Sequence, residues 1–245
     1  MKGKTIVIFG ATGGVGSELA KILTDRGSTV ILCARNEEKL KELSISLSQK
    51  YYVVDGTKED EVKLLFSNFS EQLQKVDGVV NCIGLFCIKP IQGTSIETWD
   101  EVIRVNLGSS FIILKHALLK MLPQKQGSIV LISSAAAKIG LMHHEAISAA
   151  KAGIEGLIRS AATSYASTGI RINGIAPGLV KTPLSDSITK NPETLNHSLK
   201  FHPLGRIGNP DDIAFAIAWL LSDETTWISG EILSVDGGLA HLKSN

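Results

Sequence analysis

The chain has 245 residues, 44% of them hydrophobic and 20% charged, and its 25 basic residues almost balance its 24 acidic ones, for a formal net charge of +1. This composition excludes intrinsic disorder and nucleic-acid binding through a general basic excess. The three cysteines form neither an even set nor a metal-ligand spacing, so we expect no metal site and a reducing, cytoplasmic environment. The first apolar run is too short for a signal core or a membrane span, which predicts no membrane partner.

Short β-branched runs alternate with longer helical patterns along the chain. The first run, Thr5–Phe9, has no polar alternation after its threonine, which is typical of a strand buried on both faces of a parallel sheet. Strands are predicted at 5–9, 29–33, 51–54, 79–81, 128–132, 171–175 and 231–235, and helices at about 14–26, 37–48, 58–69, 96–121, 148–166 and 211–222. These repeated βαβ units predict an α/β fold over 1–245: a single-domain Rossmann fold with a seven-stranded parallel doubly wound sheet and helices on both faces.

The least regular stretch is 181–208, where three prolines interrupt polar sequence. It is predicted to be a mobile substrate loop with short helices. His197 and His202 lie in this stretch, and as isolated histidines we interpret them as surface groups rather than ligands.

Three glycines follow the first strand and open the first helix: Gly10, Gly14 and Gly16. Glycine allows a tight turn and close backbone approach, while the free N–H groups and the positive dipole end of a helix favour an anion. This pattern indicates a nucleotide phosphate, although a glycine cluster alone also fits a tight turn that binds nothing.

Further motifs occur in a fixed order: VVDGT, NCIG, VNLGS, ISSAA, SAAKAG, IAPGLVKTP, PLGRIGNPDDIA and GEILSVDGG. Together with the glycine loop, they resemble the short-chain dehydrogenase/reductase family, and within it the 3-oxoacyl-[acyl-carrier-protein] reductases, over about 4–238. Three positions depart from the family's motifs. Phe9 stands where the family has a threonine, and Cys82 and Ile83 turn the family's NNAG into NCIG.

The resemblance implies a nicotinamide dinucleotide. Asp55 would meet the adenine amino group, and Thr182 would help to hold the nicotinamide amide and the phosphates. The implied cofactor-binding residues are Gly10, Thr12, Gly13, Gly14, Val15, Gly16, Arg35, Asp55, Gly56, Asn81, Gly84, Lys151, Pro177, Gly178, Val180 and Thr182.

The end of the second strand favours NADP(H) over NAD(H). A carboxylate there would accept the ribose hydroxyls of NAD but repel a 2′-phosphate, which an arginine attracts. Ala34 occupies the carboxylate position, and Arg35 follows it. The alternative is that Arg35 only forms a surface ion pair with Glu37 or Glu38.

The catalytic positions match the family except for one. The resemblance assigns Asn106, Ser134 and Lys151 to catalysis, with Ser134 holding the substrate oxygen and Asn106 serving a water chain to Lys151. Ile147 stands four residues before Lys151, where the family has the tyrosine that gives the proton. We expect none of Tyr51, Tyr52 and Tyr165 in the site.

Two functions therefore remain open. The first is an NADP(H)-dependent oxidoreductase of this family that acts on a small carbonyl, hydroxyl or acyl substrate without the tyrosine general acid. Its proton would come from another group or from water, or would not be needed if the step resembles enoyl or dienoyl reduction. The second is an inactive cofactor-binding protein, acting as a sensor or an assembly partner. His144 is a less favoured proton donor: it lies seven residues before Lys151, the spacing at which the family's enoyl reductases place their tyrosine, but we expect it in a solvent-exposed loop.

The resemblance also implies a homotetramer or dimer, formed through helix 96–121 and the helix that carries Lys151. Small residues on the latter would let two helices approach closely, although packing in the core explains such residues equally well; they are Ala149, Ala150, Ala152, Gly153 and Gly156.

Overall fold

The computed structural model describes residues 1–72 and 75–243. Its strands are β1 (Thr5–Phe9), β2 (Thr29–Ala34), β3 (Lys50–Val53), β4 (Gly78–Asn81), β5 (Gly127–Ile132), β6 (Ile170–Pro177) and β7 (Ile232–Val235). They form one parallel sheet in the order β3-β2-β1-β4-β5-β6-β7. The predicted seven-stranded Rossmann sheet is confirmed, and no strand end differs from its predicted position by more than two residues.

The burial of the strands follows their place in the sheet. In the central β1, the four residues from Ile6 to Phe9 are fully buried because neighbouring strands and helices enclose them on all sides. At the edge, β3 is exposed or half-buried along its whole length. The two faces of the sheet therefore need covering mainly over its centre, where the long helices lie.

The helices are α1 (Gly14–Asp25), α2 (Glu37–Leu47), α3 (Glu59–Gln72), α4 (Ile96–Ile103), α5 (Ser109–Met121), α6 (Glu145–Tyr165), α7 (Asp186–Thr189), α8 (Pro192–Leu199) and α9 (Pro210–Leu221). Apolar side chains of α1, α2 and α9 form one core with the sheet, and those of α3, α5 and α6 form another on the opposite face. Helices cover both faces, as the doubly wound pattern predicts.

Two helices differ from the sequence prediction in ways that affect the site. The predicted helix 96–121 is interrupted by a π-helical segment, Arg104–Gly108, which separates α4 from α5. The prediction that the next helix starts at residue 148 is also wrong, because α6 begins at Glu145. The backbone N–H of Ser148 already donates to the carbonyl of His144 at 2.7 Å, so His144 is the N-cap and Ile147 lies on the helix.

The stretch 181–208 contains the two short helices α7 and α8, as predicted, while its mobility stays a prediction. The interpretation of His202 as a surface group is wrong, because this side chain is 5% exposed. Its Nδ1–H donates to the carbonyl of Ser198 at 2.8 Å, and its Nε2 accepts the N–H of Leu179 at 3.1 Å. His202 therefore fastens the end of α8 to the loop after β6, whereas His197 is exposed, as expected.

Within the described residues, one helical stretch, 96–124, is long and apolar enough to cross a membrane by length and composition alone. Half of its most apolar window is buried inside the fold. The buried part includes Ile113, Leu114 and Ala117 of α5, which belong to the core beside the sheet. Packing in the core thus accounts for much of its apolar character.

The close packing of β6 against α6 can be tested at Gly174. A Cβ at this position would lie 2.6 Å from Cδ1 of the fully buried Ile158. We expect Gly174→Ala to lower the free energy of unfolding by about 1–3 kcal/mol, the usual cost of overpacking. Ile158→Val removes that Cδ1, so the double variant should recover part of the loss in urea denaturation.

Gly140→Ala is the control, because nothing lies within 4 Å of a Cβ at this exposed position before α6 and its φ is not positive. There the change should raise the free energy of unfolding by about 0.4–1 kcal/mol. A Gly174→Ala protein as stable as the unmodified one would contradict the packing described here.

Candidate active site

A cavity of about 1130 Å³ opens at the carboxyl ends of β4, β5 and β6. Its walls come from the loops that follow these strands, from the start of α6 and from the segment that carries α7 and α8. In the sheet, β2 lies on one side of β1 and β4 lies on the other. The connections that leave β1 and β4 therefore run in opposite directions, and a crevice opens between the loops after these two strands. Such a switch point is where open parallel sheets bind ligands.

The glycine loop lies at this switch point and leaves room for an anion. Gly10 has a φ of +75°, and a Cβ on it would lie 2.9 Å from the backbone carbon of Cys82. A Cβ on Gly14 would lie 2.7 Å from Cγ2 of Thr182 on the opposite wall. No described side chain caps α1, and its first turn holds no acidic residue. The free N–H groups of that turn therefore fit a dinucleotide phosphate.

The sixteen cofactor residues predicted from the sequence lie in four places. Five of them belong to the glycine loop and the start of α1, namely Gly10, Thr12, Gly13, Gly14 and Gly16, and Asn81 ends β4. Seven of them line the cavity: Val15, Gly84, Lys151, Pro177, Gly178, Val180 and Thr182. Arg35, Asp55 and Gly56 lie beyond the ends of β2 and β3, outside the cavity. The arrangement is that of an elongated ligand, with one end over the β2 and β3 loops and the other in the cavity.

Asp55 presents an ionised acceptor at the outer end. Burial would raise the pKa of its carboxyl, but the hydrogen bonds from Thr57 and the charges of Arg35 and Lys58 outweigh burial and lower it. Thr57 donates to Oδ1 of Asp55 from its N–H at 3.0 Å and from its hydroxyl at 2.8 Å. Among the described residues Oδ2 has no hydrogen-bond donor, so it can accept the amino group of a base.

Arg35 is exposed, and no ion pair joins it to Glu37 or Glu38 among the described residues. Glu37 pairs instead with Lys41 at 3.0 Å. The alternative interpretation of Arg35 as a partner of these glutamates therefore finds no support in the structure. Its guanidinium remains available to an anionic ligand at the end of β2.

Lys151 lies on α6 with its side chain almost fully buried against the cavity wall. The residue is 7% exposed, and its Nζ donates to the carbonyl of Ile132 at 2.8 Å. Burial lowers the pKa of the ammonium from 10.5 to about 8, and the negative charge that the Cys82 thiol can acquire acts in the opposite direction. The lysine therefore changes its protonation state close to neutral pH.

Asn106 is fully buried in the π-helical segment and holds the loop after β4. Its Nδ2 donates to the carbonyls of Leu85 at 3.1 Å and Val102 at 2.9 Å, and its Oδ1 accepts the N–H of Leu85 at 3.2 Å. The side chain thus clamps the backbone of one wall. The water chain to Lys151 that the resemblance implies stays a prediction.

Ser134 follows β5 and lines the cavity. Its Oγ accepts the N–H of Ala136 at 3.2 Å, which fixes the oxygen while leaving the hydroxyl hydrogen free to donate. A carbonyl oxygen of a ligand is a suitable acceptor for it.

Ile147 is 5% exposed, and its side chain packs with Val102, Ala146 and Ala150 while also lining the cavity. Its aliphatic side chain carries no polar hydrogen that could be donated. Tyrosines lie elsewhere in the described structure, two on β3 and one at the end of α6, and none lines the cavity, as expected.

His144 lies in the loop just before α6, as its N-cap, and lines the cavity; it is half-buried, so the expectation of a solvent-exposed loop holds only in part. Its Nδ1–H donates to the carbonyl of Met142 at 2.7 Å, and its ring stands edge-on to Phe86 with the centroids 6.2 Å apart. Nε2 is therefore the nitrogen left for another partner. In the neutral ring this atom accepts a hydrogen bond, and only the protonated ring donates from it.

Sequence reasoning missed a buried polar connection beneath the site. Nδ2 of Asn81 donates to the hydroxyls of Ser109 and Ser110, each at 3.1 Å, and Ser110 donates to the carbonyl of Asn106 at 2.8 Å. These bonds tie the end of β4 to the π-helical segment. The paired serines directly after VNLG were the available signal, because two adjacent hydroxyls in an apolar helix need partners.

A second missed contact involves the first serine of ISSAA. The hydroxyl of Ser133 donates to Oε1 of Glu155 at 3.0 Å, and both residues are buried. This bond joins the end of β5 to α6 next to Ser134 and Lys151. It was not predicted, since the partners are far apart in the sequence.

Comparison with known proteins agrees with this geometry. The family model described as enoyl-(acyl carrier protein) reductase matches residues 10–240. The 3-oxoacyl-[acyl-carrier-protein] reductase of Chlamydia trachomatis is 34% identical over 243 residues, 97% of each chain. A short-chain type dehydrogenase/reductase from Mycobacterium ulcerans has a TM-score of 0.94 at 30% identity, covering 98% of this chain and 90% of its own. A variant of actinorhodin polyketide ketoreductase with NADPH has a TM-score of 0.93 at 28% identity, and the match covers 99% of this chain and 100% of the ketoreductase chain.

The burial of Lys151 predicts a pH-dependent stability. Below about pH 8 the amine is protonated in both the folded and the unfolded state. Between about pH 8 and 10.5 the folded protein binds fewer protons than the unfolded chain, so its free energy of unfolding rises with pH. Measured against Lys151→Met, the stability difference should grow by at most about 1.4 kcal/mol per pH unit in this window.

Urea denaturation of both proteins at pH 7, 8, 9 and 10 gives the comparison. Lys63→Met is the control, because it removes a positive charge from an exposed position. A difference between the unmodified protein and Lys151→Met that is flat over this range would contradict the described environment of the amine.

Proposed function

Because the chain belongs to the short-chain dehydrogenase/reductase family, we propose that it is an NADP(H)-preferring oxidoreductase of a small carbonyl, hydroxyl or acyl substrate that works without the family's tyrosine. One observation carries the proposal: the phosphate-binding loop leads into the same cavity that Ser134 and Lys151 line. A ligand lying along this path would bring its reactive end to a hydroxyl donor and a titrating amine.

The chain's own residues fit the nucleotide. The uncapped first turn of α1 would hold a phosphate, and Thr182 faces this loop across a gap that only a glycine at position 14 leaves open. Asp55 would accept from the adenine amino group. When bound, the nicotinamide supplies or accepts a hydride.

The preference for NADP(H) is supported by charge at the end of β2. Ala34 offers no carboxylate to the ribose hydroxyls, and the guanidinium of Arg35 is exposed and free of the nearby glutamates. The related ketoreductase structure contains NADPH. A 2′-phosphate would gain a charge-assisted hydrogen bond here, whereas NAD(H) would gain none.

The substrate end of the cavity is mostly apolar. Leu85 and Phe86 from the loop after β4 face Leu184 and Phe201 from the α7 and α8 segment. These side chains would exclude water from the reacting carbon, while the hydroxyl of Ser134 orients the oxygen. The combination suits a carbonyl or acyl compound with an apolar body.

A specific observation favours the second candidate, a cofactor-binding sensor or assembly partner without turnover. Ile147 belongs to an apolar cluster at the position where the family has its acid, so the usual proton source is missing. Titration with NADPH followed by a panel of ketones, enones and acyl thioesters on the same preparation separates the candidates. Turnover of any substrate supports the oxidoreductase, and binding without any turnover supports the sensor.

His144 is the first alternative source of the proton. Its Nε2 is not used by the backbone carbonyl that fixes the ring, and the residue lines the cavity. If His144→Ala abolishes an activity that the unmodified protein has, while NADPH binding persists, the histidine fills the role.

The proposed cofactor preference predicts the behaviour of Arg35→Ala. This variant should lose about 1–3 kcal/mol of binding free energy for NADPH, the range for hydrogen bonds to charged groups, and none for NADH. Calorimetric titration with both cofactors measures this. Lys39→Ala, an exposed cation on the neighbouring α2, controls for a general effect of charge. Equal affinity of the unmodified protein for the two cofactors would refute the preference.

Restoring the phenol tests whether the proton donor is what the site lacks. Ile147→Tyr should create or raise NADPH-dependent carbonyl reduction, since general acid catalysis contributes roughly 10²–10⁴-fold. Ile147→Phe is the matched control, because it adds the ring without the hydroxyl. An Ile147→Tyr protein that binds NADPH and stays inert on the panel would defeat the explanation.

We also propose self-association through the α5 and α6 face. Phe111 and Leu119 of α5 are 54% and 59% exposed, and Ala149, Ala152 and Gly156 are exposed on α6. Light scattering at micromolar concentration should report a dimer or tetramer, whereas a monomer would contradict this assembly.

A further inference from the structure

Without a tyrosine, the proton for a reduced carbonyl must come from another group at the cavity. Four candidate donors among the cavity-lining side chains, Cys82, Ser134, His144 and Lys151, come from the loops after β4 and β5 and from the first turns of α6. They differ in how their hydrogens are used. Their contacts show which of them has a hydrogen available for the substrate oxygen.

Three of the four are poorly suited to deliver a proton. Burial raises the pKa of the Cys82 thiol, so this group holds its hydrogen firmly at neutral pH. Ser134 has an alcohol, which donates hydrogen bonds but not protons. The Nδ1–H of His144 is taken by the carbonyl of Met142, and in the neutral ring Nε2 carries no hydrogen.

Lys151 differs from all three in geometry. Its ammonium carries three hydrogens, and the carbonyl of Ile132 takes one of them at 2.8 Å. Ile147, one helical turn earlier on the same wall, has no atom that could accept another. On the other side, a Cβ on Gly84 would be in ordinary van der Waals contact with Nζ at 4.0 Å, so the glycine puts no side chain against the ammonium.

We propose that Lys151 is itself the acid that protonates the substrate oxygen, with the hydroxyl of Ser134 holding that oxygen. This inference rests on the proposed oxidoreductase function. In the reduction, a hydride from NADPH forms the new C–H bond with its own electron pair, and the π pair of the C=O bond moves to oxygen. The oxygen then takes a proton from Nζ, the N–H electrons stay on nitrogen, and the neutral amine regains its proton from solvent.

The surroundings of the ammonium are consistent with this role. From the loop after β4 it faces the thiol of Cys82, and from the π-helical segment the neutral amide of Asn106. On α6 itself, the carboxylate of Glu155 accepts the hydroxyl of Ser133 at 3.0 Å and pairs with Arg159 at 3.6 Å. Across the cavity, the imidazole of His202, just after α8, is fixed between the backbone groups of Ser198 and Leu179. Burial lowers the pKa of Lys151 to about 8, close to the pH at which a general acid works best.

The first test needs no turnover. Protein labelled with ¹³C at the lysine Cε is titrated by NMR, with and without NADPH, and the Lys151 signal is assigned by its loss in Lys151→Arg. We expect a midpoint near pH 8 in the free protein. The exposed Lys63 gives a reference curve in the same spectra. A Lys151 midpoint at or above that of Lys63 overturns the proposal.

The second test measures kcat and the Kd of NADPH from pH 6 to 10 with the best ketone of the panel. Above the midpoint that NMR gives for the NADPH complex, kcat of the unmodified protein should fall tenfold per pH unit. This decline is the descending limb of its pH profile. Lys151→Arg keeps the charge but cannot release a proton, so kcat should fall about 10²–10⁴-fold and the pH limb should vanish, with the Kd changed only a few-fold.

The outcomes separate this inference from the function on which it rests. Turnover that survives in Lys151→Arg with the same pH limb overturns the inference and leaves the oxidoreductase intact. Loss of the limb in His144→Asn but not in Lys151→Arg assigns the proton to the histidine and also overturns it. Binding of NADPH without turnover of any substrate overturns the proposed function, and this inference with it.

Discussion

The common direction of all seven strands places the functional groups of this protein at one edge. In a parallel sheet every strand ends on the same side, so the loops after β1, β4, β5 and β6 meet there regardless of their separation in the chain. The central strands can run this way only because helices bury both their faces. The glycine loop, Ser134 and the wall that carries Thr182 are neighbours for this reason.

Buried hydrogen bonds then fix the loops at that edge. Asn81 at the end of β4 holds two serines of α5, one of these serines holds the carbonyl of Asn106, and Asn106 clamps the backbone of Leu85. The side chains of both asparagines and both serines are buried, so leaving one of them unsatisfied would cost about 1–3 kcal/mol. The π-helical turn is what brings the Asn106 amide to the loop, and the cavity wall therefore depends on a local irregularity of the helix.

Burial of the Lys151 amine places a group with a lowered pKa at the cavity wall. Lys151 lies among apolar groups, and its Nζ donates to one backbone carbonyl. The same desolvation that weakens its hold on a proton would weaken the folded state most below about pH 8. Ile147 adds to that desolvation, since it extends the apolar cluster of Val102 and Ala150 to the cavity wall. An aliphatic side chain at position 147 thus leaves this part of the cavity wall without a proton donor and adds to the apolar environment of the lysine.

The sequence by itself determined the parallel sheet, the position of the glycine loop and the lack of a tyrosine before Lys151. Apolar runs and glycine spacing are local properties, and a missing hydroxyl can be read from one residue. Only the tertiary structure decided the π-helical turn at Asn106, the start of α6 at Glu145, the burial of His202 and the bond between Ser133 and Glu155. Each of these depends on partners distant in the chain or on competition between backbone bonds, and a local pattern carries no information about which distant group will satisfy a buried polar atom.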